Sequence, residues 1–272
     1  MRINTNINAM IATNQMTKNT ALAGSSMEKL STGLRITKAG DDAAGLAVSE
    51  KMRAQIRGME QAERNVQDGI SMVQTAEGAL EEAGNIAQRM RELGVQAGND
   101  TLSSSDRAKI KTELSELQKE MSDISKEAKF NGKELLSANA ASSTITIQAG
   151  ANSEVREIKM TDLASIANSV SITGDLSTVG EAQAFVGKVD KALEAINSGR
   201  STLGTMQNRL EYTSNNLTTT TENLSAAESR IRDVDVAKEM VKLSKLNILN
   251  QASQAMVSQA KQQPESVTQL LR

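Results

Sequence analysis

The chain has no histidine, no cysteine and no tryptophan, and its 272 residues include one tyrosine, two phenylalanines and one proline. Without histidine there is no imidazole general base, and without cysteine there is no thiol nucleophile, no disulfide and no ordinary zinc or copper ligand set. A zinc-protease segment of the HExxH type is excluded for the same reason. Carboxylate, Ser/Lys or Tyr chemistry remains available in principle, and the length permits one or two domains with a sizeable core. With Tyr212, Phe130 and Phe185 as the only aromatics, that core has to be built from Leu, Ile, Val, Met and Ala. Such side chains suit close helix packing and supply little material for a ligand pocket.

Charge of one sign is also missing. The formal net charge of -2 offers no electrostatic case for a nucleic-acid partner, and the absence of aromatic stacking platforms weakens single-strand binding further. No apolar run approaches the roughly 18 residues that suggest a membrane span. The opening "MRINTNINAMIATNQ" has no continuous apolar stretch, which predicts no cleavable secretory signal. Taken alone, these features point to the cytoplasm.

What is present is heptad order. From Val189 the positions seven apart are Ile196, Leu203, Leu210, Leu217, Leu224 and Ile231, all aliphatic. Their companions Ala192, Gly199, Met206, Thr213, Thr220, Ala227 and Val234 are mostly small, so a partner helix can come close. A second strip runs through Met59, Val66, Val73, Leu80, Ala87 and Gly94, with Ala62, Gly69, Ala76, Ala83, Met90 and Ala97 beside it. Each strip covers on the order of 60 Å of helix, and their similar length predicts that they pair.

A third helix is predicted after "SSSD", with Ile110, Leu114, Leu117, Met121, Ile124 and Ala128 alternating four and three apart, folding back on the first. Asn131 and Gly132 end it with turn chemistry. "STITIQAGANSEVREIKM" changes to an alternating period and predicts a small hairpin near 143–160, with Ile145 and Ile147 facing Ile158 and Met160. Residues 161–183 read as a loop with at most a helical turn. The fold class is therefore mainly α: an elongated antiparallel coiled coil or helical bundle with a small β-hairpin.

The ends differ from the middle. Val234, Val236, Met240, Val241, Leu243, Leu246, Ile248, Leu249 and Met256 cover too much of a helix circumference for one core stripe, and Leu270 and Leu271 sit at a terminus that is ordinarily wet. Ile3, Ile7, Met10, Ile11 and Leu22 form a weaker stripe at the other end. Other copies of the chain are the simplest cover, and the pair of terminal helices is expected to order on polymerisation.

"RITKAGDDAAGLAVSEKMR", residues 35–53, tests as a site and fails. Its "GDDAAGLA" has phosphate-loop spacing, but Leu46 and Ala47 stand where Lys and Ser/Thr are needed, and two carboxylates repel phosphate. Adjacent Asp41 and Asp42 do not supply the alternate ligands of a calcium loop. The segment reads as a joint, in which Gly40 breaks the chain and Asp41 or Asp42 caps the next helix and favours its positive end. We assign no catalytic, cofactor-binding or metal-ligating residue.

With those segments in view, "MEKLSTGLRITKAGDDAAGLAVSEKMRAQIRGMEQAERNVQDGISMVQTAEGAL" resembles the N-terminal region of bacterial flagellins, and "NLSAAESRIRDVDVAKEMVKLSKLNILNQASQAM" with "QQPESVTQLLR" resembles their C-terminal region. The resemblance implies a filament subunit for swimming motility, exported unfolded without a cleavable signal, which replaces the cytoplasmic expectation. It implies that residues 1–42 and 232–272 are inner-core helices and that 43–231 form the surrounding bundle. With about fifty residues between Leu135 and Gln183, the outer variable domains of longer members have no room. Implied partners are other copies, an export chaperone on residues 232–272, and the cap and junction proteins. "QRMRELGVQAGND" resembles the segment recognised by the vertebrate Toll-like receptor for flagellin, with Arg89, Leu93 and Glu113 at the matching positions. Arg89 and Glu113 serve equally as solvated helix-face charges. Gly94 stands where the family commonly has alanine, which predicts a helix loosened by roughly 1 kcal/mol. A hook–filament junction protein shares such ends and is the alternative.

Overall fold

A computed structural model describes residues 6–142, 144–171 and 178–270, with side chains described through Gln262. Its elements in chain order are α1 (Ile7–Thr32), α2 (Ala43–Ala97), α3 (Ser104–Glu127), β1 (Lys129–Phe130), β2 (Lys133–Glu134), α4 (Ala138–Ser142), β3 (Ile145–Gln148), β4 (Val155–Ile158), α5 (Leu163–Ser169), α6 (Val179–Arg232) and α7 (Val236–Leu270). The two chain ends, up to Ala54 and from Asn223, form one compact unit, and Gln55–Glu222 form another. The division lies inside α2 and α6 rather than at their ends.

In the middle unit the two heptad strips pair antiparallel. Arg91 reaches Asp190 at 2.7 Å, Arg200 lies 3.9 Å from Glu81, and the Thr218 hydroxyl donates to Glu63 at 3.3 Å, so numbers fall on α2 as they rise on α6. Every strip residue of α2 from Met59 to Ala97 is buried, including Val66, Val73 and Leu80. On α6, Val189, Ile196, Leu203, Leu210 and Leu217 are buried as well. Leu224, in the terminal unit, is half-buried.

α3 turns back along α2. Its first turn is capped by Ser103, whose Oγ accepts from the Asp106 N–H at 3.3 Å, and the Arg107 guanidinium donates to the Asn99 carbonyl at 3.1 Å across the connection. Ile110, Leu114 and Met121 are buried along its inner face. Beyond it, Asn131 and Gly132 both take positive φ, 49° and 78°, and join β1 to β2 in the reversal that a two-residue hairpin requires. β3 and β4 pair antiparallel with Ile145 opposite Ile158 and Ile147 opposite Arg156. The Asn65 amide on α2 donates to the Gln148 carbonyl at 3.3 Å and fixes the hairpin against the bundle.

Residues 163–169 are a helix, not a loop. Asp162 caps it by accepting from the Ser165 N–H at 2.8 Å, Leu163 and Ala167 are buried, and Gln118 of α3 donates to the Ala167 carbonyl at 3.4 Å. Seven residues are too few for helical periodicity to stand out in sequence, and packing on α3 rather than propensity holds the segment.

Gly94 has a packing reason. A Cβ there would lie 2.9 Å from Val186 Cγ2 and 3.1 Å from the Phe185 ring, so the glycine lets α6 come close. Gly94→Ala should therefore lose about 1 kcal/mol, overpacking outweighing the gain in helix propensity. Gly78→Ala, with open space at its Cβ position, should gain roughly 0.5–1 kcal/mol. Denaturant melts of the two variants check this; a stabilised Gly94→Ala would mean that Val186 yields freely.

Candidate self-assembly surface

The terminal unit is built on α1 and α7, which run antiparallel. The Asn6 side chain donates to the Ala260 carbonyl at 2.6 Å, and the Thr20 hydroxyl donates to Asn250 at 3.4 Å. In this unit Asn19, Ser26 and Leu246 are buried and Leu243 is half-buried. Two of the most deeply buried side chains of α1 are thus polar. Of the apolar residues described in this unit, Leu246 and Ile36 alone reach full burial.

The apolar side chains point elsewhere. Ile7, Met10, Ile11, Leu22 and Met27 on α1, and Val236, Met240, Val241, Ile248, Leu249 and Met256 on α7, stay 40 to 71 % exposed. Two open grooves result. One, of about 640 Å³, is lined by Ile11, Ala12 and Gln15 of α1 with Leu249, Ser253 and Met256 of α7. The other, of about 470 Å³, runs along α7 between Met240, Val241, Ile248 and Leu249. Contiguous apolar surface of this kind marks an interaction site. Of the residues expected to assemble, Ile7, Met240 and Leu249 lie on this open surface, while Leu246 is buried and Leu243 half-buried. Ile3 and Leu271, and the side chain of Leu270, fall outside the described residues.

The joint between the terminal helices and the rest of their unit is a two-stranded strap. α1 stops at Gly33, which adopts φ 72°, a conformation glycine reaches without strain. Leu34 then bridges Asp233, the Arg35 N–H donates to the Arg232 carbonyl at 2.6 Å, and the Val234 N–H donates to the Gly33 carbonyl at 3.0 Å. The Arg232 guanidinium reaches Glu50 at 2.5 Å. Gly40 sits in the following turn with ordinary φ, so the chain breaks at Gly33. The Asp41 carboxylate accepts from the Thr37 and Lys38 N–H groups, each at 3.2 Å, and Asp42 accepts from the Gly45 N–H at 2.9 Å at the start of α2. The strap carries no period in the sequence; Arg232 and Asp233, two charges directly after a heptad strip, are the one local sign of it.

Those bonds lower two pKa values. The backbone N–H groups of Thr37 and Lys38 hold the Asp41 carboxyl below the usual carboxylate range, and the Arg232 hydrogen bond does the same for Glu50. A depressed folded pKa contributes stability that is complete above the ordinary value and disappears as pH falls through the lowered one. Protection of the Thr37 and Lys38 amides, referred to intrinsic exchange rates, should therefore be level at neutral pH and fall below about pH 4. Asp41→Asn should flatten that profile; a profile identical to the parent's would detach the effect from Asp41.

On the middle unit, Arg89 pairs with Glu113 across α2 and α3 at 2.9 Å, and with Glu92 at 3.2 Å, all three side chains exposed. Glu113 first, then Glu92, raises the Arg89 pKa further. Leu93 is not on this surface: it is 2 % exposed, inside the bundle.

Both chain ends, the ones that bear the open apolar surface, match known families. Residues 3–141 match the model of the bacterial flagellin N-terminal helical region, and residues 186–271 match that of the bacterial flagellin C-terminal helical region. The chain belongs to the bacterial flagellin family. It is 52 % identical to a flagellin of Halalkalibacterium halodurans and 47 % identical to a flagellin of Bacillus subtilis, each alignment covering 100 % of both chains. It is 44 % identical, again over 100 % of both chains, to the flagellar filament 33 kDa core protein of Treponema phagedenis. Among solved structures, the crystal structure of Bacillus cereus flagellin matches with TM-score 0.51 and 32 % identity, covering 61 % of this chain and 94 % of that one. A putative flagellar hook-associated protein from Vibrio parahaemolyticus matches with TM-score 0.61 over 71 % of this chain and 100 % of that one, at 12 % identity, a likeness of fold alone. Between the two family regions, residues 142–185 hold the β3–β4 hairpin and α5.

Proposed function

We propose that this chain is the structural subunit of a bacterial flagellar filament, exported and self-polymerising, with α1 and α7 as its inner core. The observation that carries the reading is the open apolar surface on both helices, in a unit that buries little of its own. A monomer exposing eleven large apolar side chains there, each 40 to 71 % exposed, gains roughly 0.6–2 kcal/mol for each one fully covered by a neighbouring copy. Salt-induced polymerisation of the purified chain, viewed by electron microscopy, tests it. Long helical filaments support the subunit; short caps or no polymer would favour a junction role instead.

Residues 1–42 and 232–272 are the inner-core segments on this reading, and 43–231 the tube around them. An export chaperone covering residues 232–272 would shield Met240, Val241, Ile248 and Leu249 before assembly, and the filament cap and junction proteins would meet the same ends. The role is structural rather than catalytic.

Recognition by the vertebrate Toll-like receptor for flagellin would rest on Arg89 and Glu113, which share one exposed patch. Leu93 would contribute from beneath it by packing. Arg89→Ala should reduce receptor signalling and leave the melt unchanged, an exposed ion pair being worth at most about 1 kcal/mol. Leu93→Ala should instead lower stability by about 2–5 kcal/mol. Full signalling from folded Arg89→Ala protein would remove the patch from consideration.

A further inference from the structure

Methionine is divided between the two units by exposure. Met59, Met72, Met90, Met121 and Met160 in the middle unit are 7 % exposed or less. Met10, Met27, Met240 and Met256 in the terminal unit are 54, 63, 51 and 60 % exposed. Met16 and Met52, also terminal, and Met206 are half-buried.

We propose that Met10, Met27, Met240 and Met256 form a reversible oxidation site that switches self-association off without unfolding the bundle. In each, the thioether sulfur takes one oxygen from a peroxide and is oxidised by two electrons to the sulfoxide, while the peroxide leaves as water or an alcohol. A dithiol-driven methionine sulfoxide reductase reverses this: the oxygen departs as water and the dithiol becomes a disulfide. This inference rests on the assembly reading above.

Three features support it. The chain has no Cys, His or Trp, so methionine is the one side-chain class that mild peroxide attacks readily, and no thiol competes for the oxidant. Susceptibility follows exposure, and exposure separates the four terminal methionines from the five of the bundle core. Finally, the four lie among the apolar residues that another copy would cover. Met256 lines the larger groove and Met240 the smaller one. A sulfoxide there turns a flexible apolar group into a strongly polar one that must be desolvated without a partner on joining a neighbour.

The test uses the full chain as monomer, exposed to millimolar hydrogen peroxide and then quenched. Peptide mass spectrometry should find Met10, Met27, Met240 and Met256 oxidised about tenfold faster than Met59, Met90 or Met121. The bundle's melting temperature should stay put while salt-induced filament yield falls about tenfold or more. Treatment with reductases for both sulfoxide epimers should restore the yield. Whatever filament yield the combined variant M10L/M27L/M240L/M256L gives untreated, it should keep that yield after peroxide, since leucine has no sulfur to oxidise. Undiminished yield from protein oxidised at all four sites, a yield the reductases cannot restore, or loss of yield in the peroxide-treated quadruple variant would each overturn the switch. If the untreated chain forms no filaments, the assembly reading itself fails and takes the switch with it; filaments from untreated and fully oxidised protein alike refute the switch alone.

Discussion

Deleting residues 233–272 is expected to abolish filament formation while moving the melting temperature of the middle unit by no more than about 2 °C. The truncation removes α7 and with it Met240, Val241, Leu243, Leu246, Ile248, Leu249 and Met256, but leaves Val189 to Leu217 paired with the α2 strip. The middle unit lies wholly between Gln55 and Glu222, so none of its core is cut. At roughly 0.6–2 kcal/mol for each partly exposed apolar side chain covered, losing the six exposed ones of α7 is comparable with the roughly 8 kcal/mol that separates a micromolar contact from none. Melting temperature and filament yield, measured side by side on truncated and intact chains, decide the matter. A truncation that unfolds the bundle, or one that still makes normal filaments, contradicts the division of labour between the units.

Leu210→Ala should have the largest single-residue effect on folding. Leu210 is 1 % exposed, midway between Leu203 and Leu217 on α6, where an alanine leaves a cavity that two long packed helices cannot collapse around. A loss of about 2–5 kcal/mol follows, or roughly 4–20 °C in melting temperature for a unit of this size. Leu224→Ala, the next residue in the same heptad position but only half-buried, should lose clearly less. Equal losses at the two positions in denaturant melts would mean that heptad register, and not burial, sets the energetics of α6.

The long helices were legible because their signal repeats. Five successive aliphatics from Val189 to Leu217 are buried at one heptad position, and no local accident in sequence imitates that. α5 was not legible, since a seven-residue helix offers two apolar turns and takes its definition from α3. Leu93 shows a subtler limit. It flanks the α2 strip instead of lying on it, and a single pairing with α6 would leave it at the rim; with α3 folded back on α2, the buried arc widens and takes in Leu93. Burial at such flanking positions depends on how many helices surround the strip, which a heptad pattern does not state. At the joint, two aspartates beside a glycine drew attention to Gly40, yet the left-handed residue is Gly33. The deciding circumstance is backbone pairing of Leu34 with Asp233, which are 199 positions apart in the chain. For the self-assembly surface, sequence showed an excess of apolar residues around α7. Which of them are buried became clear from the antiparallel register set by Asn6 and Thr20.

The scarcity of fully buried apolar side chains in the terminal unit has a thermal consequence. Because Ile36 and Leu246 are the only described apolar residues of this unit that are fully buried, much of its apolar hydration should be released when subunits meet. Removal of that water carries a large negative heat capacity and a driving force that is mainly entropic near room temperature. Subunit addition should consequently strengthen on warming and weaken in the cold, and chilling should release subunits under conditions in which the middle unit, its leucines already sealed, remains folded.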